Sequence, residues 1–153
     1  MGNFSGGNGA FTPATNADNW VLEADTAGDI GKVVSIGWGG RLTTSTGYRT
    51  RWCRPSTNAS STFTSLNPQG GTPGATATCR LGTFVTAATL PTDPANLHAQ
   101  DWNAHGGLGF ILMPLSRPWY VLNSATAGHG QIACRNVAGV DASGSSYVVS
   151  WDE

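Results

Sequence analysis

The chain reads as an all-β domain, a jelly-roll-like antiparallel β-sandwich with long Gly/Pro-rich loops. Three observations lead there. No segment of helical length keeps apolar residues at a sustained 3.6-residue spacing. Gly, Pro, Ser, Thr and Asn interrupt the chain at intervals of roughly 8 to 15 residues. The intervals between them hold short runs rich in β-branched and aromatic residues, the pattern of strands joined by turns.

Taken in order, residues 1–18 are Gly/Asn-rich without alternation, and their only large side chains are Phe4 and Phe11. They are expected to form an N-terminal arm ahead of a single domain at 19–153, with the two phenylalanines as anchors on a neighbouring subunit. Strands are expected at Trp20–Ala24, Lys32–Trp38, Tyr48–Arg54, Ala75–Val85, Gly109–Met113, Trp119–Asn123, Gln131–Val137 and Ser146–Trp151. In Lys32–Trp38 the period of two puts Val34, Ile36 and Trp38 on one face and Ser35 and Gly37 on the other. In Tyr48–Arg54 it sets Tyr48 and Trp52 against Arg49, Arg51 and Cys53. Phe110-Ile111-Leu112-Met113 is continuously apolar and reads as buried on both faces. Residues Pro55–Gly74 read as a long loop, and Gln100–Gly107 as polar loop sequence carrying Trp102.

Composition bounds the function. Eight Lys/Arg and nine Asp/Glu make up only 11% of 153 residues, with six Trp and 21 Gly. An ordinary soluble domain is about 25% charged, and so weakly charged a surface is poorly protected from self-association. Much of this surface is therefore expected to be covered by other subunits. One lysine, Lys32, and a net charge of −1 leave no basic stripe, which argues against nucleic-acid binding. No run of 18 apolar residues is present to span a membrane, and the first residues lack the basic and apolar regions of a secretion signal. Cys53, Cys79 and Cys134 are widely spaced in apolar or alternating stretches. They read as buried free thiols of a reducing compartment.

No motif carries chemistry. His98, Asp101 and His105 could be drawn as a metal cluster, yet the His-x-His of a β-barrel metal site is missing, and His129 stands apart. There is no Gly-x-Ser-x-Gly elbow. Gly28-Asp29-Ile30-Gly31-Lys32 lacks the spacing of a phosphate loop and has Val33 where a hydroxyl is needed. The nine acids offer no facing pair for glycoside hydrolysis, with Asp101 the nearest candidate. The expectation is no catalytic residue, no metal and no cofactor.

The C-terminal third reads Gly106-Gly107-Leu108-Gly109-Phe110-Ile111-Leu112-Met113-Pro114, then Ser116-Arg117-Pro118-Trp119-Tyr120-Val121, Gly130-Gln131-Ile132-Ala133-Cys134-Arg135 and Tyr147-Val148-Val149-Ser150-Trp151-Asp152-Glu153. In this run of Gly turn, Pro-ended strand, Trp-bearing strand and Val-rich final strand it resembles the jelly-roll decoration, or cement, proteins on the capsids of tailed bacteriophages. The resemblance implies a non-enzymatic virion protein that binds and stabilises a shell of major capsid protein, commonly as a homotrimer, after assembly in the host cytoplasm. Read from the residues themselves, the expected interface side chains are Phe4 and Phe11 of the arm, Arg49 and Arg51 on one strand face, and Trp102 in polar loop sequence. The alternative is a carbohydrate- or receptor-binding module of a virion, with Trp102, Trp119 and Tyr120 as a stacking platform. A third reading, a small hydrolase, would use Asp101 and His105.

Overall fold

The computed structural model describes residues 2–11, 18–25, 28–54, 60–65, 77–86, 96–103, 105–114, 116–122, 130–138 and 145–153. These hold eleven strands and no helix: β1 Asn3–Phe11, β2 Asp18–Ala24, β3 Ile30–Arg41, β4 Gly47–Cys53, β5 Ser60–Ser65, β6 Cys79–Thr86, β7 Asn96–Asn103, β8 His105–Leu112, β9 Trp119–Leu122, β10 Ile132–Ala138 and β11 Ser145–Asp152. Every pairing is antiparallel. One sheet, here sheet A, runs β1-β11-β3-β8, with β9 also paired to β3. Sheet B runs β5-β6-β2-β10-β4-β7. The all-β sandwich expected from the sequence is what the chain forms.

One core lies between the sheets. Sheet A contributes Phe4, Val33, Ile36, Trp38, Val121, Tyr147, Val149 and Trp151, and sheet B contributes Trp20, Leu22, Trp52, Leu81, Ile132 and Cys134. Aromatic pairs tie the layers together. Trp38 meets Trp52 at 4.8 Å between ring centroids, and Trp20 meets Tyr147 at 6.0 Å. Such pairs contribute about 0.5–1.5 kcal/mol beyond the area they bury. The space left among these rings is only about 20 Å³. A Cβ at residue 109 would overlap the Trp38 ring, so only glycine fits where that indole crosses the edge of sheet A.

Several expectations are corrected. Residues 3–11 are not a free arm but the edge strand β1, paired with β11 from Asn3↔Asp152 to Phe11↔Ser145. Phe4 is 2% exposed and stacks on Trp151 within this chain's own core, so it needs no neighbour to cover it. Residues 12–17, and the side chain of Phe11, lie outside what is described. Within the expected loop 55–74, residues 60–65 form β5 and the remainder lies outside the described residues. In β3 the inward set is Val33, Ile36 and Trp38 rather than Val34, Ile36 and Trp38. The register against β11 slips between Ser35↔Ser150 and Val33↔Trp151, and this bulge at Val34 adds one residue and turns the face over. The apolar run in β8 is covered on one face only. Ile111 and Met113 pack on the core, while Phe110 and Leu112 point away from it.

Candidate interaction surface

The bulge at Val34 and the period of two together decide what sheet A shows on its outer side. On β3 the outward residues are Ile30 and Lys32 before the bulge and Gly37 and Gly39 after it. Their cross-strand partners follow: Leu122 beside Ile30, Tyr120 beside Lys32, Phe110 beside Gly37 and Leu108 beside Gly39. On β11, Val148 lies opposite Gly37 on one side and Gly7 on the other. The exposed large apolar side chains among the described residues are Ile30, Leu108, Phe110, Leu112, Tyr120, Leu122 and Val148. All seven lie on this one face. Leu108, Leu112 and Phe110 are 85%, 69% and 59% exposed.

The face has relief. A groove of about 390 Å³ is lined by Gly7, Gly37, Trp38, Leu108, Phe110 and Val148, with Ser146 and Tyr147. Its floor stays open because Gly37 has no side chain: a Cβ there would sit 3.0 Å from Val148 and 3.3 Å from Phe110. Leu108, Phe110 and Leu112 form a ridge along β8, at the edge of the sheet.

The outer side of sheet B differs: beside buried Val21, Cys53 and Ala133 it carries ion pairs. Arg49 pairs with Asp101 across β4 and β7, Nε donating at 2.7 Å and Nη2 at 3.0 Å. The hydrogen bond to Asp101, then its charge, raises the Arg49 pKa, and the same bond lowers that of Asp101. Both side chains are well exposed, so the pair is worth little to stability. Arg80 donates to Glu23 at 2.7 Å and pairs with Asp25 at 2.8 Å, and Gln131 donates to the other oxygen of Glu23 at 2.6 Å. Arg51 and Arg135 are cross-strand neighbours, half-buried and buried.

The remaining predicted site residues are dispersed. Trp102 is not in a loop. It lies on β7, half-buried against the core, and its indole donates to Thr50 Oγ1 at 2.8 Å. Trp119 also packs on the core from β9, whereas Tyr120 beside it in sequence projects outward. Alternation therefore leaves Trp102, Trp119 and Tyr120 without a shared stacking platform. His98 faces Trp52, at 5.5 Å between rings, and Asp101, an odd number of residues away on the same strand, faces outward. His105 meets the Leu42 carbonyl through Nδ1 at 2.8 Å. His129 lies outside the described residues. Among those described, no three His, Cys, Asp or Glu side chains gather where a metal ion could sit. Cys53, Cys79 and Cys134 are buried and stand outside any disulfide among the described residues, as expected.

What the sequence reading missed is the face itself. Its signal was present in Leu108-Gly109-Phe110-Ile111-Leu112, where alternation of Leu, Phe and Leu marks one side, but the continuous run hid it. No family model matches the chain, and comparison with curated proteins gives no match.

Proposed function

We propose that this chain is a non-enzymatic structural subunit of a virus particle, a decoration protein seated on the exterior of a bacteriophage capsid. The observation that carries this reading is the gathering of all seven exposed large apolar side chains of the described residues on the outer face of sheet A. A face of that kind is an interaction site rather than a solvated surface. The C-terminal resemblance supports the particular assembly. The stretches that carry it form β8, β9, β10 and β11, and they supply Leu108, Phe110, Leu112, Tyr120 and Val148 of the apolar face. Jelly-roll connectivity and residence in the virion belong to the same proposal. So does a division of labour in which the charged side of sheet B meets the shell. Many bound copies then stabilise the shell by favouring its assembled state.

The test is direct. Native particles are purified, their proteins identified by mass spectrometry, and the density of this chain located on the shell. Stoichiometric copies on the exterior are the expected result, with particles lacking the chain opening at lower temperature. Its absence from the particle overturns the proposal.

A further inference from the structure

We propose that the apolar outer face of sheet A is covered by the same face of a second copy of this chain, the two related by a two-fold axis. The inference rests on the assembly reading above, names the partner for one of its surfaces, and puts a two-fold pair in place of the homotrimer that the resemblance implies.

Area is the first argument. From their fractional exposures, Ile30, Leu108, Phe110, Leu112, Tyr120, Leu122 and Val148 together present roughly 800 Å². That is of the order of the roughly 800 Å² that each partner buries in a standard-size stable interface, and far from the singly scattered apolar residues of an ordinary monomer surface.

Relief is the second. The ridge Leu108–Phe110–Leu112 and the groove floored by Gly7 and Gly37 lie side by side on the same sheet. A two-fold axis between them places the ridge of each copy in the groove of the other, which is the isologous, self-complementary arrangement of a closed dimer. Sheets stack face to face at about 10 Å, a distance that side chains of this size fill.

Charge is the third. Lys32 and Asp152, cross-strand partners of opposite sign, sit within the face, between Ile30 and the ridge on β8. Neither sign prevails there, so nothing selects a strongly acidic or basic partner, and with a net charge of −1 two copies barely repel. Predominantly apolar interfaces are the mark of homodimers.

Sedimentation equilibrium of the full chain across a concentration series tests this, alongside Leu108→Ser/Leu112→Ser and, on the opposite side of the sandwich, Ala99→Ser. Wild type and Ala99→Ser are expected to be dimeric at about 1 µM, and the double variant to dissociate about 100-fold more readily. Leu108→Lys, at the most exposed position, serves if the double variant loses its β signal by circular dichroism. A wild-type chain that stays monomeric at about 100 µM, or an oligomer indifferent to both substitutions, overturns the inference. Particle attachment separates it from the decoration reading. A monomer that still decorates particles removes the dimer and leaves decoration standing, whereas a substitution-sensitive dimer absent from particles does the reverse.

Discussion

The Glu153 carboxylate accepts two hydrogen bonds from Thr78, one from its amide at 2.7 Å and one from its hydroxyl at 2.8 Å. The Cys79 amide donates to the same carboxylate at 2.7 Å, and the Trp151 indole at 2.9 Å. Cys79 opens sheet B's β6 and Thr78 precedes it, while Glu153 follows sheet A's β11. One side chain thus joins the two layers at the ends of two interior strands, and its backbone exchanges bonds of 2.9 and 3.0 Å with Gly2.

Glu153 should therefore make stability depend on acid. Partial burial raises its carboxyl pKa, but the bonds from Thr78, Trp151 and Cys79 outweigh that and hold it below the ordinary 4.5. With the folded value depressed, the stabilisation is complete above the ordinary carboxyl pKa and is lost as pH falls through the folded one. Glu153→Ala is expected to cost about 1–2 kcal/mol at neutral pH, a figure kept low because the carboxylate is partly exposed. Melting temperatures between pH 7 and about pH 3 check this: the gap between wild type and variant should narrow with acid, and a constant gap contradicts it.

Phe4 makes the first strand part of the fold. It is almost fully buried, and its ring lies 6.0 Å from that of Trp151, nearly parallel. Phe4→Ala should cost about 3–5 kcal/mol, as for other core aromatics. Deleting residues 1–11 should do more, since it also strips β11 of one of its two partners and leaves an open edge. Thermal denaturation followed by Trp fluorescence measures both. An unchanged transition after the deletion would restore the free-arm reading.

Why some strands were legible and others were not follows from where they lie. Trp20–Ala24, Lys32–Trp38, Tyr48–Arg54, Gln131–Val137 and Ser146–Trp151 were placed within a few residues, and all belong to strands with a partner on each side. Their inward residues must fill a core, so alternation is enforced. The three that escaped notice, β1, β5 and β7, each lie at the edge of a sheet. Edge strands pack on fewer neighbours, and they tolerate Asn3-Phe4-Ser5-Gly6-Gly7 or Leu97-His98-Ala99-Gln100-Asp101 because backbone pairing holds them. Two further strands have a single partner: β9 is legible because Trp119 and Val121 pack on the core, and β8 is legible from its apolar content, although the state of its second face is not. Nothing in a run of Gly109-Phe110-Ile111-Leu112 distinguishes a strand covered on both faces from one whose second face awaits a partner. The bulge at Val34 was invisible because a period of two carries no mark of its interruption. Trp102 reads as a loop residue in sequence because its neighbours Asp101 and Asn103 are polar, yet polar neighbours are what the outward positions of an edge strand hold.

The three cysteines should be silent in the native protein. Burial, followed by the nearby Glu153 carboxylate, pushes the Cys79 thiol well above its ordinary range, and Cys53 and Cys134 are equally enclosed. A thiol reacts as thiolate, so raised pKa and lost access act together. Titration with a chromophoric disulfide reagent at pH 8 should modify none of Cys53, Cys79 and Cys134 in folded chain and all of them in denaturant. Prompt modification of any one without denaturant contradicts the enclosure seen here.

Arg49 offers a test of the charged side of sheet B in which two substitutions pull in opposite directions. Its guanidinium is exposed but held by Asp101, so the positive charge reaching a partner is largely compensated. Arg49→Ser leaves an exposed carboxylate, whereas Asp101→Asn leaves an exposed guanidinium. Neither should move the melting temperature measurably, because an exposed pair contributes little to the fold. If this side meets an acidic shell, Arg49→Ser weakens attachment and Asp101→Asn strengthens it. Both effects should fade as salt is raised, since exposed charges are screened within about 8–10 Å at physiological ionic strength. Particle-binding isotherms of the two variants at low and high salt decide the matter. Equal binding by both would show that Arg49 faces only water, and the shell contact would then have to be sought elsewhere on the sandwich.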